Sequence, residues 1–269
     1  DINSKKHNGK PTFGISIGAN ANTNALGVDN FLLQDGRSKI GFNKNNNVPN
    51  NSLDGYNFAT PLKTSHAVPF GSNIAINGGR SFLIGPEGKL NLFATATFEN
   101  DYNYREGIDK QVSAQNARIK DFQHKKYNYG TKTTGMFNAD YEINSKNNID
   151  YNFLFVNSST QSHDEYRGYI RDIAESNVGG ILTRNNYTEN RLMAHQLLGS
   201  HEIADNQTFN WGVSYNTIKS YMPDRSQTIL RHREIENDYV IASNSASDNH
   251  RYFHDLNENE IALNAAYDY

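Results

Sequence analysis

Residues 133–157, TTGMFNADYEINSKNNIDYNFLFVN, hold two runs in which apolar and polar side chains alternate at every second position. Successive side chains of a β-strand point to opposite faces, so each run predicts a strand with one apolar and one polar face. The polar residues 144–148 lie between the runs and predict a hairpin turn. Two environments suit such strands: the sheet of a soluble sandwich, and a barrel wall with lipid outside and water inside.

The same alternation recurs in four other segments, residues 13–21, 90–98, 209–217 and 261–269. Short connections are predicted at 85–88, 144–148 and 204–207. Long polar excursions are predicted at 35–69, 105–125, 163–182 and 221–257. Compact soluble domains rarely hold several structureless loops of more than about 12–15 residues, whereas transmembrane barrels combine short periplasmic turns with long extracellular loops. The pattern therefore favours an all-β, antiparallel transmembrane β-barrel.

Composition excludes several other classes. The chain of 269 residues is 36% hydrophobic with a mean hydropathy of -0.76, and it holds no run near the roughly 20 apolar residues of a membrane helix. Its formal net charge of -3 gives no support for nucleic acid as a partner. With no cysteine, thiolate metal sites and cysteine nucleophiles are excluded.

Three runs carry a resemblance to a known family: LNLFATATFENDYNYREG (90–107), GMFNADYEINSKNNIDYNFLFVNSSTQS (135–162) and NRLMAHQLLGSHEIADNQTFNWGVSYNTIKSYMPDR (190–225). They resemble the first barrel hairpins of TonB-dependent outer-membrane receptors of the Bacteroidetes type. The resemblance covers nearly the whole chain in sequential order, and it rests on family-like patterns without a catalytic signature.

The resemblance implies a barrel of about 22 strands with a plugged lumen, which takes up a scarce nutrient across the outer membrane of a Gram-negative bacterium. Residues 1–269 offer about eight to ten strands. We therefore expect a single, incomplete barrel domain, with residues 1–10 leading from the plug into the barrel and the plug itself missing. The implied partners are TonB through that plug, outer-membrane lipid, lipopolysaccharide, an extracellular solute of unknown type and a surface lipoprotein.

The alternation assigns side chains to the two faces of such a wall. The lipid-facing candidates are Phe137, Tyr141, Phe153, Phe209, Trp211, Tyr215 and Leu263. The lumen-facing candidates are Asn138, Asp140, Asn152, Asn210, Ser214 and Asn264. Pro223 cannot donate to a sheet ladder and is expected to end a paired region, with Asp224 and Arg225 bracing the loop that follows.

Other constellations are weak. His250 and His254 would share a face only on a helix, and the glutamate of the zinc-protease motif is replaced by Arg251. The Asn-rich residues 43–51 could offer oxygen atoms to calcium but lack the twelve-residue loop pattern. The basic residues 231–233 could meet an anion, although a charged surface segment is the simpler interpretation. No serine lies in a nucleophile elbow, so we expect no enzyme and no cofactor.

Two alternatives remain open. One is a non-transporting outer-membrane surface protein whose loops bind a partner protein or a glycan. The other is a secreted, soluble β-sandwich, in which the apolar faces would be buried against a second sheet.

Overall fold

Antiparallel β-strands make up almost all of the described chain, which in the computed structural model comprises residues 9–43, 64–171, 173, 178–245 and 247–269. One helix, α1 (Thr23–Leu26), is present in this part. The strands are β1 (Thr12–Ala21), β2 (Phe31–Gln34), β3 (Thr64–Ala67), β4 (Phe70–Ile84), β5 (Gly88–Val112), β6 (Arg118–Asn144), β7 (Asn147–Ile170), β8 (Gly180–Ala204), β9 (Gln207–Arg233), β10 (Asp238–Ile241) and β11 (His250–Asp268).

The strands form a nine-stranded sheet and a small two-stranded sheet. The order in the large sheet is β1-β4-β5-β6-β7-β8-β9, and both β10 and β11 pair with β9. The small sheet is β2 with β3, which lie in the connection between β1 and β4. The prediction of an all-β antiparallel fold is confirmed. Among the described strands, eight have ten residues or more.

The three predicted short turns are confirmed, and the antiparallel order puts them all at one end of the sheet, the short-turn end. They join β4 to β5, β6 to β7 and β8 to β9. In the turn between β8 and β9, Asn206 has φ 65°, the left-handed conformation that asparagine tolerates better than most residues. The described parts of the remaining connections lie at the opposite end, the long-connection end.

The interpretation of residues 105–125 as a polar excursion is wrong. β5 extends to Val112 and β6 begins at Arg118, so that only five residues connect them. The excursions at 163–182 and 221–257 are likewise shortened by the ends of β7, β8, β9 and β11. Polar side chains do not prevent pairing here, because most of the polar side chains at these strand ends meet water or other polar groups.

The strands are much longer than a bilayer crossing requires. β6 has 27 residues, about 90 Å at roughly 3.4 Å per residue, whereas a tilted transmembrane strand needs about 9–11 residues. Register then extends the two faces of 133–157 across the sheet: Leu92 pairs with Ala139 and Phe137 with Phe153 on the apolar face, and Asn138 pairs with Asn152 on the polar face.

The buried apolar clusters lie at the long-connection end. The larger one forms where the β1–β4 connection covers the sheet, and its buried members are Ala25, Phe31, Leu33, Tyr104, Tyr127 and Tyr129. The smaller one consists of Ile173, Ile229 and Ala242. Within the described residues no helix is long and apolar enough to cross a membrane.

Candidate functional site

The apolar face changes character along the strands. In the half next to the short-turn end it carries a continuous apolar band, which we define by Phe13, Ile15, Ile17, Ile74, Ile76, Leu90, Leu92, Phe98, Phe137, Tyr141, Ile149, Tyr151, Phe153, Phe155, Met193, Leu197, Trp211, Val213, Tyr215, Ile261 and Leu263. Ile17 is 78% exposed, Leu263 75% and even Val213, between two paired strands, 40%. Within the described chain this band is uncovered except at its outer margin, where Phe42 stacks on Phe155.

The height of the apolar band follows from strand geometry. On β5 it runs from Leu90 to Phe98, nine residues and therefore eight steps, or about 27 Å along the strand. A tilt of about 40° would reduce this to about 21 Å perpendicular to a membrane, close to the apolar belt of about 25 Å on outer-membrane barrels. Six of the seven lipid-facing candidates belong to the apolar band, and Phe209 lies on the same face at its short-turn edge.

The opposite face carries a ladder of amides and carboxylates. Asn91 Nδ2 donates to Asp140 Oδ2 at 2.9 Å, and Asn138 Nδ2 donates to Asn152 Oδ1 at 2.8 Å. These four side chains are buried by their neighbours, and Asp140 is completely so. The structure thus brings three of the lumen-facing candidates together in the centre of the sheet.

The other three lumen-facing candidates are less enclosed. Ser214 lies opposite Ala262, and Asn210 Nδ2 donates to Asp268 Oδ2 at 3.2 Å. Asn264 is exposed because β11 is an edge strand in the described sheet. Whether these residues face a lumen stays a prediction.

Pro223 does not end the paired region, because β9 continues to Arg233. It lies at an irregularity where the register with β11 shifts between Tyr252 and His254, and a bulge of this kind accommodates a residue without an N–H. Its neighbour Asp224 is buried and accepts hydrogen bonds from Arg251, with Nε at 2.9 Å.

Asp224 also contacts the β1–β4 connection through Arg37. Arg37 Nη2 lies 3.7 Å from Asp224 Oδ2, and burial of the Arg37 guanidinium lowers its pKa from the ordinary value. Arg225 instead lies against the ring of Tyr252, with 5.8 Å from its guanidinium carbon to the ring centre. Asp224 thus joins β9, β11 and the connection.

Residues 37–43 form a clasp on the apolar face, just beyond the apolar band. Their backbone is held by side chains of three strands: Tyr129 Oη donates to Lys39 O, Asn157 Nδ2 donates to Gly41 O at 2.9 Å, and Glu189 Oε2 accepts from Asn43 N at 2.9 Å. Phe42 stacks on Phe155 of the band with 6.3 Å between ring centres. The clasp therefore covers the outer margin of the band.

Beyond the clasp, a cleft of about 950 Å³ opens between α1, the start of β2 and strands β5–β7. Its floor is the continuation of the apolar face, which is polar and charged at this height. The lining residues on the floor and at its rim are Tyr104, Arg105, Glu106, Lys125, Tyr127, Glu165 and Arg167. Those on the roof are Thr23, Asn24, Gly27, Val28, Asp29, Asn30 and Leu32.

Hydrogen bonds hold both floor carboxylates. Tyr104 Oη donates to Glu106 Oε2 at 2.8 Å, and burial raises the pKa of Tyr104. The ring nitrogens of buried His163 lie 2.7 Å from Asn185 Oδ1 and 3.3 Å from Glu165 Oε1. The hydrogen bond with His163 holds the pKa of Glu165 below its usual value. Sequence reasoning missed this cleft; the only local signal was the Tyr-rich alternation of 102–104 and 127–129.

The described residues of the three weaker candidate sites, at His250/His254, 231–233 and 43–51, do not come together in a ligand site. His250 and His254 lie on β11, where His250 Nδ1 is 3.0 Å from Ser247 O, and no cluster of three acidic or histidine side chains suited to a metal occurs in the described part of the chain. Residues 231–233 lie on β9 beside β10. Most of the 43–51 stretch falls outside the described residues.

The fold and the two features above define a class: an antiparallel sheet of long strands, with an uncovered apolar band at one end and a polar cleft at the other. In comparisons with protein-family models, curated proteins and solved structures, none matched this chain.

Proposed function

We propose that the chain forms part of the wall of an outer-membrane β-barrel in a Gram-negative bacterium, with the apolar band in lipid. One observation carries the proposal. The large apolar side chains near the short-turn end form a continuous uncovered band, whereas near the long-connection end apolar side chains are gathered in two buried clusters, beside separate exposed ones such as Ile108 and Ile235. A contiguous exposed apolar surface of this extent marks a membrane or protein interaction site.

The opposite face suits a wet interior, because the amide and carboxylate ladder around Asp140 needs hydrogen-bonding partners that lipid does not offer. In this proposal further strands pair with the outer edges of β1 and β11, because hydrocarbon does not tolerate unpaired backbone groups. The short turns then lie on the periplasmic side and the clasp and cleft lie outside the cell.

The family resemblance favours a nutrient importer as the protein to which this barrel wall belongs. It would be a TonB-dependent receptor that takes up an extracellular solute, with energy coupled through a plug. The resemblance of residues 90–107, 135–162 and 190–225 to such receptors supports it. Lipopolysaccharide and a surface lipoprotein are the partners expected at the outer rim.

A second candidate is a surface protein whose outer end binds a partner without transport. The position of the cleft favours it: Tyr104 and Glu106 share their face of β5 with Leu92 and Phe98, so a cleft on this face opens outside the barrel lumen. Crosslinking of the full-length protein to TonB separates the candidates, since the importer requires this contact and the surface protein does not.

Site-directed spin labelling tests the membrane wall. Because residues 1–269 contain no cysteine, single cysteines can be placed at 135–140 of the full-length protein in lipid vesicles. We expect collision with oxygen, which concentrates in lipid, at positions 135, 137 and 139, and collision with a water-soluble nickel chelate at 136, whereas positions 138 and 140 are buried among neighbouring side chains and should meet little of either reagent. The accessibility of the labels to oxygen should therefore alternate along β6 with a period of two residues.

Labels at Tyr127 and Tyr129, buried on the same face beneath the β1–β4 connection, serve as matched controls and should meet neither reagent. If positions 135, 137 and 139 also meet neither, the apolar band is covered by protein and the proposal fails in favour of a sandwich.

A further inference from the structure

The floor of the cleft carries opposite charges in register on three neighbouring strands. Glu106 of β5 lies opposite Lys125 of β6, which lies opposite Glu165 of β7. Adjacent strands are about 4.8 Å apart, so negative, positive and negative groups alternate at roughly that spacing. Arg167 follows two residues after Glu165 on the same face, with its guanidinium 3.9 Å from Glu165 Oε2.

These groups are accessible to a ligand. Glu106, Lys125 and Arg167 are exposed, and the Arg167 side chain keeps 61% of its surface. None of the ion pairs within the described chain involves Glu106 or Lys125. The Tyr104 hydroxyl occupies one oxygen of Glu106 and leaves the other to accept a further donor.

We propose that this cleft binds a short peptide with free termini, its ammonium group beside Glu106 and its carboxylate beside Lys125 and Arg167. Charges of both signs on one floor match a zwitterion, whereas an anion or a cation alone would leave like charges facing it. The volume of about 950 Å³ lies near the upper end of the ~300–1,000 Å³ range of ligand sites, which suits a short peptide better than a single amino acid.

Neutral sugars fit the cleft less well. They stack on exposed ring faces, and the two tyrosines of the floor are buried, with Tyr104 7% and Tyr127 3% exposed. The proposal does not depend on the membrane assignment, since every lining residue lies beyond the apolar band.

Isothermal titration calorimetry on the purified full-length protein in detergent tests the proposal, with trialanine as the probe. We expect saturable binding of trialanine. N-acetyl-trialanine amide, which lacks both terminal charges, should bind with an affinity lower by about tenfold or more. This comparison uses the unaltered protein, so it does not depend on the folding of a variant. Absence of trialanine binding, equal affinity for the blocked peptide, or binding of maltotriose in place of both would overturn the proposal.

Charge-neutralising variants then locate the site. Glu106→Gln and Lys125→Gln should each weaken trialanine binding by about tenfold. Their matched controls are Glu99→Gln and Lys132→Gln, which neutralise an exposed pair 3.7 Å apart on the polar face of the same two strands and should leave the affinity unchanged. Equal losses in both sets would contradict this placement. The spin-label experiment can fail while this one succeeds, so the two proposals are separable.

Discussion

Gly41 shows how a single residue attaches the clasp to the sheet. Its φ of 80° lies in the left-handed region, and a Cβ added there would come within 2.0 Å of Thr131 Oγ1 and 2.9 Å of Ser159 Oγ. Those two hydroxyls are themselves hydrogen-bonded at 2.8 Å in the buried interface. Glycine is therefore required here both for backbone conformation and for close approach.

We predict that Gly41→Ala weakens the clasp by about 2–4 kcal/mol, because strain at positive φ adds to overpacking against Thr131. Hydrogen exchange at the Asn43 amide, which donates to Glu189, measures this opening. Gly36→Ala is the matched control: its φ is 78° but a Cβ there meets nothing within 4 Å, so about 1 kcal/mol is expected. Equal exchange rates in the two variants would show that close packing of Gly41 against Thr131 is not required to keep the clasp in place.

Among the strands, β9 makes the most varied contacts. It pairs with β8 along one edge and with β10 and β11 along the other, and it accommodates Pro223 by a shift in register. Asp224, next to this irregularity, replaces lost ladder contacts with hydrogen bonds from Arg251. The pair is largely buried, with side-chain exposures of 10% and 20%.

We predict that Asp224→Asn lowers the free energy of unfolding by about 2–3 kcal/mol, because Arg251 and Arg37 lose the carboxylate that compensates their burial. Denaturant unfolding of the full-length protein measures the change. The control is Glu236→Gln, which removes the exposed pair with Arg233 and should cost less than about 1 kcal/mol. A loss at Asp224 no larger than at Glu236 would mean that the cluster does not brace β9.

For the protein as a whole, the apolar face meets three surroundings in succession along one direction: nothing within the described chain, then the clasp, then the open cleft. In a lipid bilayer this order corresponds to hydrocarbon, interface and water. The depth of a position along the strand should therefore decide the cost of a charge placed on that face.

We predict that Phe137→Arg, in the middle of the apolar band, costs about 2–4 kcal/mol of folding free energy in lipid vesicles. Thr133→Arg, on the same strand and face about 14 Å nearer the clasp, should cost about 0–1 kcal/mol. Reversible folding into vesicles, followed by tryptophan fluorescence of Trp211, measures both. Similar costs at the two depths would argue against a bilayer around the band.

The strands, their faces and the short turns could be read from 133–157 and its repeats, because a period of two is a local property that each segment carries alone. The lengths of the strands could not be predicted from this pattern. Past Phe98 and Phe155 the apolar positions give way to Asn100 and Asn157, which look like loop residues until their pairing partners are known.

The clasp and the cleft arise from contacts between residues far apart in the chain. Tyr129 and Lys39 are 90 positions apart, Gly41 and Asn157 116, and Asn43 and Glu189 146. Alternation sets which side of a strand each side chain occupies, and therefore the two faces of the sheet. Which part of a face is covered depends on where a distant segment folds back, and that is set by packing and hydrogen bonds that no local pattern contains.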